Sequence, residues 1–241
     1  IMLSQAYRQS SSAPEELYRR DPENRLLARG PRFRLTGELV RDQALAASGL
    51  LIPKIGGPST RPYMPVGVWS ETNRYGNLKN YKADTGEGLY RRSMYTIWKR
   101  TAAPPSMLLF DAPNREICTP KRSRTNTPLQ ALALLNEVTY VEAARALAQR
   151  MMKEGGDTPD SRLTRGFRLV AGRTPDQETL AILKAGLERR KKEFEQEPER
   201  AKALINQGTS KPDSSVDAPE LAAYSATASI LLNLDRVITK D

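Results

Sequence analysis

The chain has 241 residues, 39% of them hydrophobic, with 38 Lys and Arg against 28 Asp and Glu, no histidine and a single cysteine, Cys118. That size and apolar content support a real core and exclude disorder throughout. The missing histidines exclude Ser-His-Asp, Cys-His, His-ligated zinc and His-ligated haem chemistry, and one cysteine excludes an internal disulfide or a cysteine-cluster metal site.

Residues 1–120 carry 18 Lys and Arg against 11 Asp and Glu, so the net charge of +10 is mostly N-terminal. Such a field favours anionic partners: acidic polysaccharide, nucleic acid, anionic lipid, or phosphate and sulfate esters. The first residues, Ile1 to Arg8, lack the basic start and apolar core of a signal peptide, and the chain reads as an excised piece. Asp21-Pro22 predicts a helix start ahead of Arg25 to Arg29, because proline suits the first helical position and aspartate caps free amides. A clearer helix is predicted over Thr36 to Ser48, with Leu39, Val40, Ala44 and Leu45 at helical spacing and Gly49 to stop it.

From Ile52 to Gly88 periodicity is lost to Gly56-Gly57-Pro58, Pro62, Pro65, Gly67, Gly76 and Gly86, in a long loop studded with Tyr63, Trp69, Tyr75 and Tyr81. Leu89 to Arg100 is rich in aromatic and β-branched residues and reads as a strand or a short helix. The firmest helix follows Thr127-Pro128-Leu129-Gln130, a capping box with proline at the first helical position. Its predicted apolar stripe is Leu129, Leu132, Tyr140, Leu147 and Met151, interrupted by Asn136 as a buried polar group needing partners.

Helices are predicted over 161–172, 175–196, 198–206 and 219–238, with the polar stretch 207–216 expected to be mobile. The longest apolar runs, 131–135 and 226–232, fall far short of the roughly 20 residues a membrane span needs, so no span is expected. The fold class expected is mainly α: an irregular helical domain with long Gly/Pro-rich loops and room for one small β element.

The most unusual segment runs from Phe110 to Pro128. It sets Arg115, Lys121, Arg122 and Arg124, with Asp111 and Glu116, ahead of an electropositive helix N-terminus. Guanidinium forks and backbone amides can hold an anion there. The plainer alternative is that the arginines tie irregular carbonyls and the two carboxylates into a structural network. Within the segment, Arg124 is expected to be structural, since it abuts the Asn126-Thr127 cap, and Arg122 ligand-facing. Arg91, Arg92, Tyr95, Trp98, Lys99 and Arg100 alternate cationic and aromatic character, which suits stacking on a sugar or base, although a half-buried strand shows the same pattern.

Other features have ordinary readings. Glu38 and Asp42 lie one helical turn apart, but Arg41 and Arg34 are close enough to neutralise them. Gly56-Gly57-Pro58 is compatible with an anion-binding nest and equally with a turn. Arg189 to Lys192 reads as a solvated face, and Cys118 lacks a histidine base. Nucleic acid is not the expected partner: no P-loop, RNP-like strand, zinc finger or helix-turn-helix pattern accompanies the charge.

Read together, Tyr7-Arg8-Gln9-Ser10-Ser11, Asp21-Pro22-Glu23-Asn24-Arg25-Leu26-Leu27, Gly56-Gly57-Pro58-Ser59, Arg91 to Arg100, Phe110-Asp111-Ala112-Pro113, Arg122 to Leu132 and Leu232-Asn233-Leu234-Asp235 resemble one family. It is the planctomycete-type surface domain of unknown function (the PSD-one family), usually found at the C-terminus of large proteins that also carry a cytochrome c-like haem domain. The resemblance implies a single family domain over 1–241, with a motif-rich, loop-rich part (1–126) and a helical part (127–241). It also implies an extracytoplasmic setting, periplasmic or at the cell surface, among glycan-degrading machinery. It supplies no catalytic residues.

The leading expectation is a domain that binds or helps process acidic, especially sulfated, glycans, with Arg91, Arg92, Trp98, Arg100, Arg115, Arg122 and Arg124 as binding residues. The first alternative is a hydrolase of anionic ester or glycosidic bonds, with Asp111 or Glu116 as general acid or base and Tyr95 or Ser123 as nucleophile. The second is a structural module docking a haem c domain of the parent protein through its basic face. No metal and no cofactor are expected within this chain.

Overall fold

The computed structural model describes residues 1–72 and 80–240, and the side chains of 71 and 72 are not among those described. Twelve α-helices and one two-stranded sheet are present among these residues. The fold class is mainly α with a small β element, as composition and period lead one to expect.

The centre is α11 (Ala218–Leu232), an alanine-rich helix buried on nearly every side by α7 (Val138–Glu154), α8 (Pro159–Ala171), α9 (Gln177–Gln196) and α10 (Pro198–Ile205). A helix apolar all round belongs inside. Its two buried hydroxyls are satisfied within the helix, Ser225 on the Leu221 carbonyl at 2.7 Å and Thr227 on the Ala223 carbonyl at 2.9 Å. Tyr140, Ala144, Leu147 and Met151 form the buried face of α7, and α8 approaches closely because Gly166 has no side chain: a Cβ there would lie 2.6 Å from the Met151 sulfur.

Around this core lies the loop-rich N-terminal half, joined by α3 (Gly37–Ser48), which packs on α7 and ends at Gly49 with φ 80°, as its sequence predicts. A second, smaller cluster of Leu45, Leu89 and Tyr90 seals the underside of the loops. Trp69 is buried midway along the Gly/Pro-rich segment, edge-on to Tyr81 at 4.9 Å, in the short α4 (Val68–Thr72); Tyr75 and Gly76 lie outside the described residues. The small sheet ties residues ahead of α3 to the last described residues, where β1 (Phe33–Arg34) runs antiparallel to β2 (Thr239–Lys240).

Several expectations need correction. Asp21-Pro22 ends a helix instead of starting one: α2 (Glu15–Arg20) precedes it, and the Asp21 carboxylate accepts the Arg25 and Leu26 N–H groups, each at 2.8 Å, while Asn24 and Leu27 turn left-handed with φ 52°. Leu89 to Arg100 is not a strand but two 3-10 turns with isolated bridges to Ile52 and Thr60. The cause is α3, whose Arg41 takes the Leu89 and Arg91 carbonyls at 2.6 and 2.9 Å, while Asp42 takes the Ser93 N–H at 2.7 Å, so side chains occupy the groups a ladder would need.

The long helix after Thr127 is two helices, α6 (Pro128–Asn136) and α7, broken at Glu137, which is extended and caps Thr139 at 3.1 Å. Asn136 is exposed and bonds back to the Leu132 carbonyl at 2.8 Å. Leu129 and Leu132 also face solvent, 61% and 54% exposed, so the inward face of α6 is Gln130 and Leu134. The last helix likewise stops at Leu232, before the short α12 (Asp235–Ile238). The polar stretch 207–216 is pinned, because Thr209 and Ser210 bond to Tyr63, Tyr90, Glu142 and Arg145.

Candidate functional site

The basic segment is built on a foot of three hydrogen-bonding residues. Asp111 sits at φ 60° just after α5 (Pro105–Leu109), and that left-handed turn reverses the chain out of the core. Its carboxylate pairs with Arg34 from β1, whose guanidinium is almost wholly buried and also takes the Thr125 carbonyl at 2.7 Å and the Phe110 carbonyl at 3.2 Å. From the far side Thr125 donates its N–H to Asp111 at 2.8 Å and its hydroxyl at 3.0 Å. Burial alone raises the Asp111 carboxyl, but the Thr125 bonds and the Arg34 charge outweigh it and hold the group below the usual carboxylate range.

Gln130 locks the same point from α6, reaching the Leu109 carbonyl at 2.9 Å and the Thr125 hydroxyl at 3.1 Å, while it completes the capping box with Thr127. Residues 110–111 and 125–130 are thereby stapled together, and the chain between them projects as an arc whose residues from 114 to 129 are all exposed. Along that arc stand Arg115, Lys121, Arg122 and Arg124, against the single carboxylate Glu116.

The arginines divide into two kinds. Arg122 is tied down, its Nη1 donating to both Glu38 oxygens at 3.0 and 2.9 Å, which anchors the arc to the first turn of α3. Arg124 has its guanidinium 4.3 Å over the Phe33 ring, and Arg115 stacks at 4.2 Å on Trp98, whose indole N–H donates to the Asn114 carbonyl at 3.1 Å. No described carboxylate lies within ion-pair distance of Arg92, Arg100, Arg115, Lys121 or Arg124. Arg122, expected to face a ligand, is thus the one paired with a carboxylate, Glu38, whereas Arg124, expected to be structural, stacks on Phe33 without a described carboxylate partner.

The other sequence-derived candidates separate clearly. Arg91 points inward: its guanidinium takes the carbonyls of Pro58, Lys54 and Gly56 at 3.0, 3.1 and 2.5 Å and lies 3.8 Å over the Tyr95 ring. The Tyr95 hydroxyl accepts the Gly56 N–H at 2.8 Å, so this pair holds the Gly-Gly-Pro loop, and that loop directs its carbonyls at a cation in place of forming an anion nest. Arg92 and Arg100 are exposed, as are Glu116, Ser123 and Cys118, and the Glu116 N–H is taken by the Asn114 side chain at 3.1 Å. Trp98, Arg115, Arg122, Arg124, Glu116 and Ser123 share the arc or its edge, Asp111 lies at its foot, and Arg91 and Tyr95 serve a different loop. Two anchoring residues escaped sequence reasoning in these roles. Arg34 was visible only as a neutraliser of Glu38, and Glu142 carried no signal beyond being a charged residue within an apolar helix face.

Among the described residues no group of three or more His, Cys, Asp or Glu is placed to hold a metal ion, and no helix is long and apolar enough to cross a membrane. Fold and site together define a mainly helical domain with a projecting, stapled basic loop. A family model described as PSD1, a protein of unknown function (DUF1553), matches residues 1–187, and the chain belongs to that family. No curated protein matches it, and no solved structure does.

Proposed function

We propose that this chain is a binding module for acidic glycans, sulfated ones above all, working outside the cytoplasm as the family resemblance implies. One observation carries the reading. The arc 114–129 is exposed throughout, carries three cations with no described carboxylate partner (Arg115, Lys121 and Arg124) beside Arg122, which Glu38 ties, and is fixed at its base by the Arg34–Asp111–Thr125 staple. A rigid convex array of guanidinium and ammonium groups suits a repeating polyanion, because little side-chain and loop entropy is lost on binding. Trp98 under Arg115 adds a flat surface for a sugar ring. A hydrolytic role draws less support, since both oxygens of Asp111 already accept hydrogen bonds from Arg34 and Thr125.

The test is a binding array of sulfated, carboxylated and neutral polysaccharides, run at about 0.05 M and about 0.5 M NaCl, where screening shortens to a few Å. The expected result is retention by sulfated polymers that is lost at high salt and in an Arg115→Ala/Lys121→Ala/Arg124→Ala variant. Equal binding to neutral polymers, salt-insensitive binding, or none at all overturns the reading.

One further observation favours docking of an acidic protein domain at the same end, such as the haem c domain that the resemblance puts in the parent protein. Helix α6 turns Leu129, Leu132 and Leu135 to solvent, 61%, 54% and 44% exposed, directly after the basic arc. Co-purification with the parent's haem domain at low and high salt tests it. A complex at low salt that Leu132→Glu abolishes supports docking, and absence of any complex at low salt sinks it.

A further inference from the structure

A cleft of about 540 Å³ opens between the end of α7, the first turns of α8 and the start of α11. It shares no residue with the basic arc or with the exposed leucines of α6. Gln149 and Lys153 enter it from α7, Arg162 from α8 and Glu220 from α11, and the wall ahead of α11 is built by Asp213, Ser215 and Asp217.

These walls are fixed. Helix α8 comes so close to the end of α7 that a Cβ on Gly155 would lie 2.6 Å from the Arg162 α-carbon, and the Arg162 Nε donates to the Gly156 carbonyl at 2.9 Å. Asp217 caps α11, its carboxylate accepting the Glu220 N–H at 3.3 Å. Asp213 accepts the Ser215 N–H at 2.9 Å and the Ser215 hydroxyl at 2.6 Å, in a stretch already pinned upstream by Ser210 on Glu142. Met152 and Val216 pack against the core from the same lining and give the cleft an apolar strip.

The five charged side chains of the lining do not cancel. Arg162 and Glu220 neutralise each other at 3.4 Å, which leaves Asp213 and Asp217 against Lys153. Hydrogen bonds from the Ser215 hydroxyl and N–H, with the Lys153 charge behind them, hold the Asp213 carboxyl below the usual carboxylate range, so it is ionised at neutral pH. The lining is thus one charge negative in a chain whose net charge is +10. At physiological salt, where screening acts over about 8 Å, such near charges decide what the cleft accepts.

Hydrogen-bonding capacity is left over as well. The second oxygens of Asp217 and Glu220 accept no bond among the described residues, and neither the Gln149 amide nor the Lys153 ammonium group has a hydrogen-bond or ion-pair partner there. A volume in the range of small-molecule sites, two carboxylates in excess of one cation, open donors and acceptors, and an apolar strip together suit a pyranose that carries an ammonium group.

We infer that this cleft binds a hexosamine, a pyranose with a free amino group. Its ammonium group meets Asp213 and Asp217, its hydroxyls meet Gln149, Lys153 and Glu220, and the apolar face of its ring rests on Met152 and Val216. The site stands whether or not the arc binds polymer.

Amide NMR titrations of the whole chain with D-glucosamine, N-acetylglucosamine, glucose and putrescine test the inference. Saturable shifts at Gln149, Lys153, Ser215 and Glu220 are expected with glucosamine, and binding at least tenfold weaker with each of the other three. Asp213→Asn/Asp217→Asn keeps the hydrogen-bond acceptors and the helix cap while removing both charges, and it should weaken glucosamine binding at least tenfold. The triple arc variant should bind glucosamine as the parent chain does. Equal binding of glucose or N-acetylglucosamine removes the role of the carboxylates, equal binding of putrescine reduces the cleft to a simple cation site, and unchanged binding in the double variant discards it; each overturns the inference. If the double variant fails to fold, Ser215→Trp at an exposed lining position decides: it should fill the cleft and abolish glucosamine binding, and retained binding overturns the assignment.

Discussion

Gly208 lies so close to Glu142 that a methyl group on its α-carbon would overlap the glutamate carboxyl carbon. The Glu142 side chain is fully buried on α7, and its Oε1 accepts the Tyr90 hydroxyl at 2.8 Å and the Ser210 N–H and hydroxyl at 2.7 Å each, with Arg145 at 3.7 Å. The stretch 207–216, whose composition suggests mobility, is thus the cover over a buried charge.

Replacing Gly208 by alanine should therefore cost more than backbone strain. Gly208 has φ +82°, and left-handed backbone alone costs an alanine about 1–2 kcal/mol. Gly172, at φ +68° with open space where a Cβ would point, provides the strain-only control. Urea denaturation should place Gly172→Ala about 1 kcal/mol below the parent chain and Gly208→Ala about 3 kcal/mol or more below it. Equal losses would mean that the cover gives way without consequence.

Arg34→Ala should destabilise the chain by about 3–5 kcal/mol, because it leaves the Asp111 carboxylate and the Leu35, Phe110 and Thr125 carbonyls without their buried partner. The pair also sets an acid limit. With Asp111 depressed below its ordinary value in the folded state, its contribution is complete above the unfolded carboxylate pKa and is lost as pH falls through the folded one. Urea midpoints recorded from pH 7 down to pH 2 should fall less steeply below about pH 4 for Asp111→Asn than for the parent. Parallel curves would show that the carboxylate titrates alike in both states.

Glu154 should give a second acid step. Hydrogen bonds from Arg150 first and Arg165 next push its carboxyl down to about 2, against some opposition from burial. The sign is the same as for Asp111: the stabilisation is whole above about pH 4.5 and disappears as pH falls toward 2. Since the pair is a third exposed, the step is shallow and salt-sensitive. Glu154→Gln should remove it at low ionic strength and change little in about 1 M salt, which thermal melts across that pH window would reveal.

What the sequence disclosed was whatever depends on near neighbours. The Thr127 capping box with Pro128 behind it and the Gly49 stop need only residues within one turn of each other, and both appear in the fold. Arg34 with Asp111 is a pairing across 77 positions, and no local pattern distinguishes it from the many other arginine and carboxylate pairs that the chain offers. Arg91 misleads for the same reason, since alternation with aromatic residues describes a stacking surface and a loop clamp equally well until the Gly56 and Pro58 carbonyls arrive from elsewhere. The position of the β element escaped because each strand has two residues, too few to carry a period. The candidate arc was legible as a run of charge, but which of its cations are tied was decided by α3, through Glu38.

That tie separates Arg122 from Arg124. Arg122→Ala removes a partly exposed ion pair and should cost up to about 1 kcal/mol while loosening the arc, since Glu38 is its only described anchor on α3 beyond the staple. Arg124→Ala removes an exposed cation stacked on Phe33 and should leave stability within about 0.5 kcal/mol. Binding should divide in the opposite sense: Arg124→Ala deletes a charge open to solvent and lowers affinity for a sulfated polymer directly, whereas Arg122→Ala frees Glu38 and acts through added repulsion and a more mobile loop. Glu38→Gln isolates the second effect, because it releases Arg122 without removing a cation, and it should raise affinity as one more guanidinium becomes available. Thermal melts and polymer titrations of the three single variants decide the matter. Weaker polymer binding by Glu38→Gln, or an early melt for Arg124→Ala beside a normal one for Arg122→Ala, would return Arg124 to the scaffold and Arg122 to the ligand.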